Sequence, residues 1–407
     1  MGNPVFIPTW ADASLSSPET GRPLYRRGPF LTDGSGGERW PVVEEIPYLR
    51  AGRKELLERV NAALDRGDHD AALAGLLRDQ DDWAPTSPPS PQSVRAAVSV
   101  ADAGGPAREV MHYLGFGPVA DYFSYRLSDP VYLAGLCLIQ TGWDAPQSSF
   151  ELACGIGHYT RELSRRGIEA TAGDVVFAKL WLARRYLVPE AKLVCFDASR
   201  RFPVEDGSAD LALCQDAFYF LPDKPHVAAE LGRIAGDDGT IVIGHSHNAA
   251  VENFSSGEPA GVARHLELFP GSTLYDDAEL TEAAVAGRDP TPREAGELSR
   301  SEAVSLVRSG SRSSSRPRRA PDLLLPPPGT PLRLNPLYKD LGEGSHVLGW
   351  PSGHYEEEYA PRSGYLPERI SPSETVLREG AEEGVGASPE IDRLVRHRVL
   401  LDLPEGM

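Results

Sequence analysis

The sequence predicts an α/β chain built on a parallel, doubly wound sheet, and three observations predict it. Short apolar runs alternate with amphipathic helical segments between residues 150 and 245. The first run opens directly into a glycine-rich turn. Several runs end in acidic or polar residues, at the carboxyl ends where open α/β sheets bind their ligands.

The first run is Phe150-Glu-Leu-Ala-Cys-Gly-Ile-Gly-His-Tyr159, with a helix expected after it over Thr160 to Arg166. Glycine suits such a turn because it accepts positive φ and lets a ligand approach the backbone. The second run, Ile168 to Asp174, ends in an acid about 20 residues past the turn, the spacing at which a carboxylate reaches ribose hydroxyls. Three further strands are predicted over Lys192–Asp197, Ala209–Asp216 and Gly239–His245. Val175 to Leu187 and Lys224 to Ile234 read as the amphipathic helices between them. Glu151, Asp174, Asp197, Gln215 and His245 therefore fall at or near strand ends.

A dinucleotide fingerprint, G-x-G-x-x-G, is the competing reading of the turn. Here Thr160 stands where the third glycine belongs, and Glu151 would repel a pyrophosphate. A carboxylate at that point suits a nucleoside carrying an amino-acid tail.

Four pieces in order carry a resemblance: E-L-A-C-G-I-G at 151–157, G-D at 173–174, F-D-A at 196–198 and F-P-V-E-D-G-S-A-D-L-A-L-C-Q-D-A-F at 202–218. With them, residues 147–248, about a quarter of the chain, resemble the class I S-adenosylmethionine-dependent methyltransferase family. The resemblance implies a Rossmann-like, seven-stranded sheet of the methyltransferase type, with S-adenosylmethionine as cofactor. It implies that Glu151 faces the methionine amino group, and that Ala153, Cys154, Gly155 and Gly157 wrap the methionine part with loop backbone. Asp174 would hold the ribose hydroxyls. Asp197 and Ala198 would meet the adenine, and Gln215 and Asp216 would close the floor near the methyl group. Ala153 departs from the glycine usual in the family. Asp174 and Asp197 have a plainer alternative role as turn or helix caps.

A sulfonium is already activated, so methyl transfer asks mainly for alignment. A hydroxyl or a protonated amine also needs a base. His245 and His247, in Gly-His-Ser-His-Asn248, are the candidates, because histidine titrates near neutrality. Asp216 is a further catalytic candidate. Tyr122, Tyr125, Arg126 and Tyr219 are candidate substrate contacts, with core packing of the aromatics as the alternative. Cys154 is not expected to act as a nucleophile.

Around the core, at 141–254, the chain divides into further parts. Residues 1–50 read as a small β-rich unit. Its end, Trp40-Pro-Val-Val-Glu-Glu-Ile-Pro47, resembles that of zinc-ribbon-derived methyltransferase partner domains, without their cysteines. Its expected role is packing on the catalytic domain or shaping the substrate entrance. Residues 51–140 read as a helical linker and lid, with an apolar stripe at Leu56, Leu57, Val60, Ala63 and Leu64 and a proline-dense linker at Pro85–Pro91. Residues 255–330 read as an insertion covering the acceptor site, helical at Asp276–Ala286 and Pro292–Val307, with a mobile Arg/Ser-rich loop at Arg308–Arg319. Leu332–Tyr338 and His346–Pro351, within 331–407, are expected to form the antiparallel hairpin that completes the sheet.

Composition limits the partners. A net charge of −18 in 407 residues argues against general nucleic-acid binding. No apolar run is long enough to span a membrane. The beginning of the sequence has no charged-then-apolar signal pattern. The four cysteines show no C-x-x-C spacing, so no metal is expected and a reducing, cytoplasmic setting is. The expected activity is methyl transfer to oxygen, nitrogen or carbon of a small molecule. Methylation of RNA or protein, and a cofactor-binding scaffold without turnover, are the alternatives. The sequence does not set the oligomeric state.

Overall fold

The computed structural model describes residues 9–81, 87–252, 256–311 and 320–407. Its centre is a seven-stranded sheet: β1 (Ser148–Leu152), β2 (Glu169–Asp174), β3 (Lys192–Cys195), β4 (Leu211–Gln215), β5 (Thr240–His247), β6 (Thr273–Tyr275) and β7 (Ala303–Arg308). The spatial order is β3-β2-β1-β4-β5-β7-β6. The first five strands are parallel, while β7 pairs antiparallel with both β5 and β6. The order reverses between β1 and β4, so the crevice for a ligand opens above those two strands. This is the Rossmann-like, doubly wound class expected.

Both faces of the sheet are covered, which explains the unbroken apolar runs. Every residue of β4 and β5 is buried. Alternate side chains feed two cores: Ala212, Cys214, Ile241 and Ile243 pack on one side, and Leu211, Leu213 and Val242 on the other. Helix Pro130–Thr141 seals the second face, started by a proline in its first turn and by Asp129, whose side chain accepts the Tyr132 N–H. Helix Lys224–Ala235 begins the same way at Asp223 and stops at Gly236. All four cysteines are buried and unpaired.

Outside the sheet several expectations are corrected. The sheet is completed by β6 and β7, not by 332–338 and 346–351. Arg333–Leu334 pairs instead with Leu400–Leu401. Tyr338–Gly342 and Ser345–Leu348 do form a hairpin, but in a separate three-stranded sheet with Arg369–Ile370. The helix expected over 292–307 is a short 3-10 turn, Glu297–Arg300, followed by β7. The segment Ala303-Val-Ser-Leu-Val-Arg308 is rich in β-branched residues and buried on an inner strand, so packing overrides its helix-compatible spacing. Most of the Arg/Ser-rich segment, and part of the proline-dense linker, lie outside the described residues.

The N-terminal unit is a four-stranded antiparallel sheet over Tyr25–Arg27, Phe30–Thr32, Trp40–Val43 and Ile46–Pro47. The chain then runs beside the edge strand β3. Tyr48 bridges Cys195 in parallel, and the Leu49 N–H donates to the Cys195 carbonyl at 2.7 Å. This covers part of an otherwise open sheet edge. Helices Lys54–Asp65 and His69–Leu76 then lead to Asp79 and Asp81, at the mouth of the crevice.

Candidate active site

Three strand ends share an unusual backbone. Ala153 after β1, Asp216 after β4 and His245 within β5 have φ of +54°, +54° and +47°. Non-glycine residues avoid this left-handed region, and such strain concentrates at functional sites. At Ala153 it opens the turn that Gly155 and Gly157 continue, with φ of +57° and +88°. A Cβ on Gly155 would stand 2.8 Å from the Phe123 ring, so glycine also lets helix Val119–Tyr125 close over the turn.

Above these strand ends lies a cavity of about 530 Å³. One end is walled by Glu151, Ala153, Cys154, Gly155, Asp174, Asp197 and Ala198, all expected from the sequence. Asp174 is held by backbone: it accepts the Gly155 N–H at 3.0 Å and the Val176 N–H at 2.9 Å. Asp197 accepts the Ser199 N–H at 2.8 Å. Lys179 stands 3.8 Å from both Asp174 and Asp81. Arg50 joins this wall, ion-paired to Asp79 at 2.7 Å, and Tyr48 donates to the same carboxylate at 2.6 Å. Burial pushes the Glu151 carboxyl up to about 8, against a hydrogen bond from the Thr160 hydroxyl that favours its ionised form. The Cys154 thiol is raised well above its ordinary value by burial and by Glu151, which removes it as a nucleophile.

The other end is built by side chains. Asp216 accepts from the hydroxyls of Tyr122 and Tyr219, each at 2.9 Å, and pairs with Arg126 at 3.1 Å. Arg126 is fully buried, bridges to Asp129 at 3.1 Å and lies over the Tyr122 ring. Burial alone would raise the Asp216 carboxyl, but Arg126, His245 and His247 outweigh it and hold it below its ordinary value. Helix Gly353–Tyr359 closes this end with Tyr355, Glu358 and Tyr359. Burial and nearby Asp216 push the Glu358 carboxyl up to about 7.

Of the other candidate residues, Gln215, Tyr122, Arg126 and Tyr219 line the cavity, whereas Gly157, Tyr125, His245 and His247 are not part of its wall. The Tyr125 carbonyl accepts the Tyr355 hydroxyl and so braces the closing helix. His245 stands behind Asp216, with Nε2 4.0 Å from its carboxylate. Its Nδ1 meets Asp277 at 2.5 Å, and Asp277 accepts from Ser305. Burial would lower the His245 pKa, but Asp277 and Asp216 outweigh it and raise it above its ordinary value. His247, stacked on Tyr219 at 3.7 Å, is pushed down to about 4 by burial and by His245. Asp216, His245 and His247 bring ligand atoms within 4.8 Å of one another. A metal ion there would face the Arg126 guanidinium on the same carboxylate, so we assign these residues no metal.

The family described as Methyltransferase domain matches residues 150–243. Residues 150–243 are a class I S-adenosylmethionine-dependent methyltransferase domain. No curated protein matches the chain. Solved structures resemble it in part. A protein from Pyrococcus horikoshii is 20% identical over 24% of this chain and 44% of that chain, with a TM-score of 0.22. This chain thus spans less than half of that protein's length. An S-adenosylmethionine-dependent methyltransferase from Thermotoga maritima is 16% identical over 47% of this chain and 92% of that one, at a TM-score of 0.35. A TehB-like methyltransferase from Corynebacterium glutamicum is 21% identical over 44% and 88%, at 0.33.

The methyltransferase domain's own residues fit the S-adenosylmethionine it takes. Two buried polar atoms on the cavity wall have no hydrogen-bond partner, His158 Nε2 and Gln215 Nε2. Burial and Arg126 push His158 down to about 3, so the ring is neutral and Nε2 is free to donate or accept by tautomer. Gln215 keeps its place because Gly244 beneath it has no side chain; a Cβ there would lie 1.8 Å from the amide oxygen. Sequence reasoning missed His158, Lys179, Glu358 and the Arg50–Asp79 pair. His158 alone carried a local signal, being the first residue of the helix after the glycine turn.

Proposed function

We propose that this protein transfers the methyl group of S-adenosylmethionine to a small-molecule acceptor. The observation that carries the reading is one continuous cavity joining the methyltransferase turn to Asp216, covered by helices Val119–Tyr125 and Gly353–Tyr359. A covered cavity of this volume is in the range of small-ligand sites. It favours a small acceptor over a macromolecule.

In this reading Glu151 receives the ammonium of the methionine part, and the 153–157 backbone wraps it. Asp174 takes the ribose hydroxyls, with Asp197 and Ala198 at the adenine. The cofactor supplies an activated methyl group, so the chain's task is alignment and exclusion of water. Asp216, locked by two tyrosine hydroxyls and Arg126, fixes the boundary between the cofactor and acceptor parts. His245, engaged by Asp277 through Nδ1 and standing behind Asp216 outside the cavity wall, is poorly placed to take a proton from a ligand. Its role is to hold Asp216 from behind, a positioning role in place of the expected base.

Calorimetry tests this. S-adenosylmethionine and S-adenosylhomocysteine should bind and NAD should not. Asp174→Ala should weaken binding by about 1–3 kcal/mol, the cost of losing a hydrogen-bonded charged partner. Binding of NAD in place of S-adenosylhomocysteine would overturn the proposal.

A further inference from the structure

The acceptor end carries more negative charge than it neutralises. Asp129 and Asp216 share one guanidinium, Arg126, and Glu358 is a third carboxylate close enough to feel both. Two nearby cations are already engaged. His245 pairs with Asp277, and Arg362 pairs with Glu302 at 3.0 Å while donating to the Glu358 main-chain carbonyl. The Glu358 carboxylate is half-buried in the cavity wall, where the Tyr359 side chain hydrogen-bonds to it and Asp216 and Asp129 act on it as like charges.

Its surroundings are aromatic. Tyr355 and Tyr359 flank it on the same helix, with ring centroids 4.5 Å apart. Tyr122 and Tyr219 contribute to the same cavity wall, their hydroxyls turned to Asp216. Aromatic faces attract cations, and a carboxylate partly withdrawn from water beside two others is stabilised by one. Neither feature suits an anionic ligand, and a neutral hydroxyl ligand would leave the excess negative charge uncompensated.

We propose that the acceptor end of the cavity binds a small organic amine in its ammonium form, with Glu358 as the carboxylate that receives it. This rests on the reading of the cavity as the methyl-transfer site. It also gives the proton a destination. The ammonium N–H bond breaks and an O–H bond forms on Glu358, which leaves the amine neutral with a free electron pair.

The test uses the full chain saturated with S-adenosylhomocysteine, titrated calorimetrically with 2-phenylethylamine and the alkylamines from ethylamine to hexylamine. The neutral alcohols of the same shape are titrated alongside. At least one amine should bind at least about tenfold more tightly than its alcohol. Glu358→Gln should erase that preference and leave S-adenosylhomocysteine affinity unchanged, while Glu358→Asp should restore part of it. The amine proposal is overturned if no amine binds the loaded protein, if the alcohols bind as well, or if the preference survives in Glu358→Gln. Failure of S-adenosylhomocysteine itself to bind would instead refute the methyl-transfer reading.

Discussion

The two ends of the cavity are anchored by different kinds of bond. At the cofactor end, Asp174 and Asp197 are held by main-chain N–H groups of Gly155, Val176 and Ser199. At the acceptor end, Asp216 is held by the side chains of Tyr122, Tyr219 and Arg126. Backbone anchors depend on the course of the chain and survive substitution of the neighbours. Side-chain anchors depend on residue identity. The first end therefore suits an invariant cofactor, and the second can be altered by changing a few residues.

The largest expected effect follows from that difference. Arg126→Ala would leave Asp129 and Asp216 buried with no guanidinium between them. Breaking a buried ion pair from one side costs roughly 3–5 kcal/mol, because the stranded charges remain. Urea unfolding should show a loss of that size. A loss under about 1 kcal/mol would mean that the acceptor end is not held by its side-chain network.

The same difference explains what the sequence disclosed. Glu151, the 153–157 turn, Asp174 and Asp197 were legible because each sits at a strand end whose local backbone dictates glycine or an acid. Tyr355, Glu358 and Tyr359 were not. Their helix meets the cavity only through tertiary packing, from far along the chain, and nothing in its own periodicity points there. Arg50 and Asp79 reach the cofactor end for a related reason: the N-terminal unit docks on β3, a contact no local pattern announces. The misplaced sheet-completing hairpin has a simpler cause. Ala303–Arg308 is a short apolar run, which spacing alone does not separate from a helix turn. The β-branched Val304 and Val307 were the available signal.

A pH measurement sharpens the contrast at the cofactor end. Glu151 has a folded pKa of about 8 against an ordinary 4.5, so the native chain holds a proton there that the unfolded chain releases. Stability of the cofactor-free protein from this group should therefore fall as pH rises from about 4.5 toward about 8. An ammonium placed against Glu151 favours the ionised form. Cofactor binding below about pH 8 should then expel a proton, and affinity should rise with pH across that window. Calorimetry at pH 7 in two buffers of different ionisation enthalpy measures the proton directly. Glu151→Gln should abolish the release and weaken binding by about 1.5–3 kcal/mol, the range for hydrogen bonds to charged groups. An unchanged proton count in the variant would place the titrating group elsewhere.

The smallest effect separates strain kept for a side chain from strain that is incidental. Ala153 and Asp216 share a φ of +54°, yet only Asp216 uses its side chain beyond Cβ. A left-handed L-residue costs about 1–2 kcal/mol. Glycine relieves this at the expense of about 0.4–1 kcal/mol of extra freedom in the unfolded chain. Ala153→Gly should thus stabilise the protein by up to about 1.5 kcal/mol and leave S-adenosylhomocysteine affinity unchanged. Asp216→Gly relieves the same backbone strain but removes one of the two carboxylates on Arg126 and the acceptor of two buried tyrosine hydroxyls, and so should destabilise. If Ala153→Gly were to weaken cofactor binding, the methyl group itself would be a contact, and the cofactor end would depend on side-chain identity just as the acceptor end does.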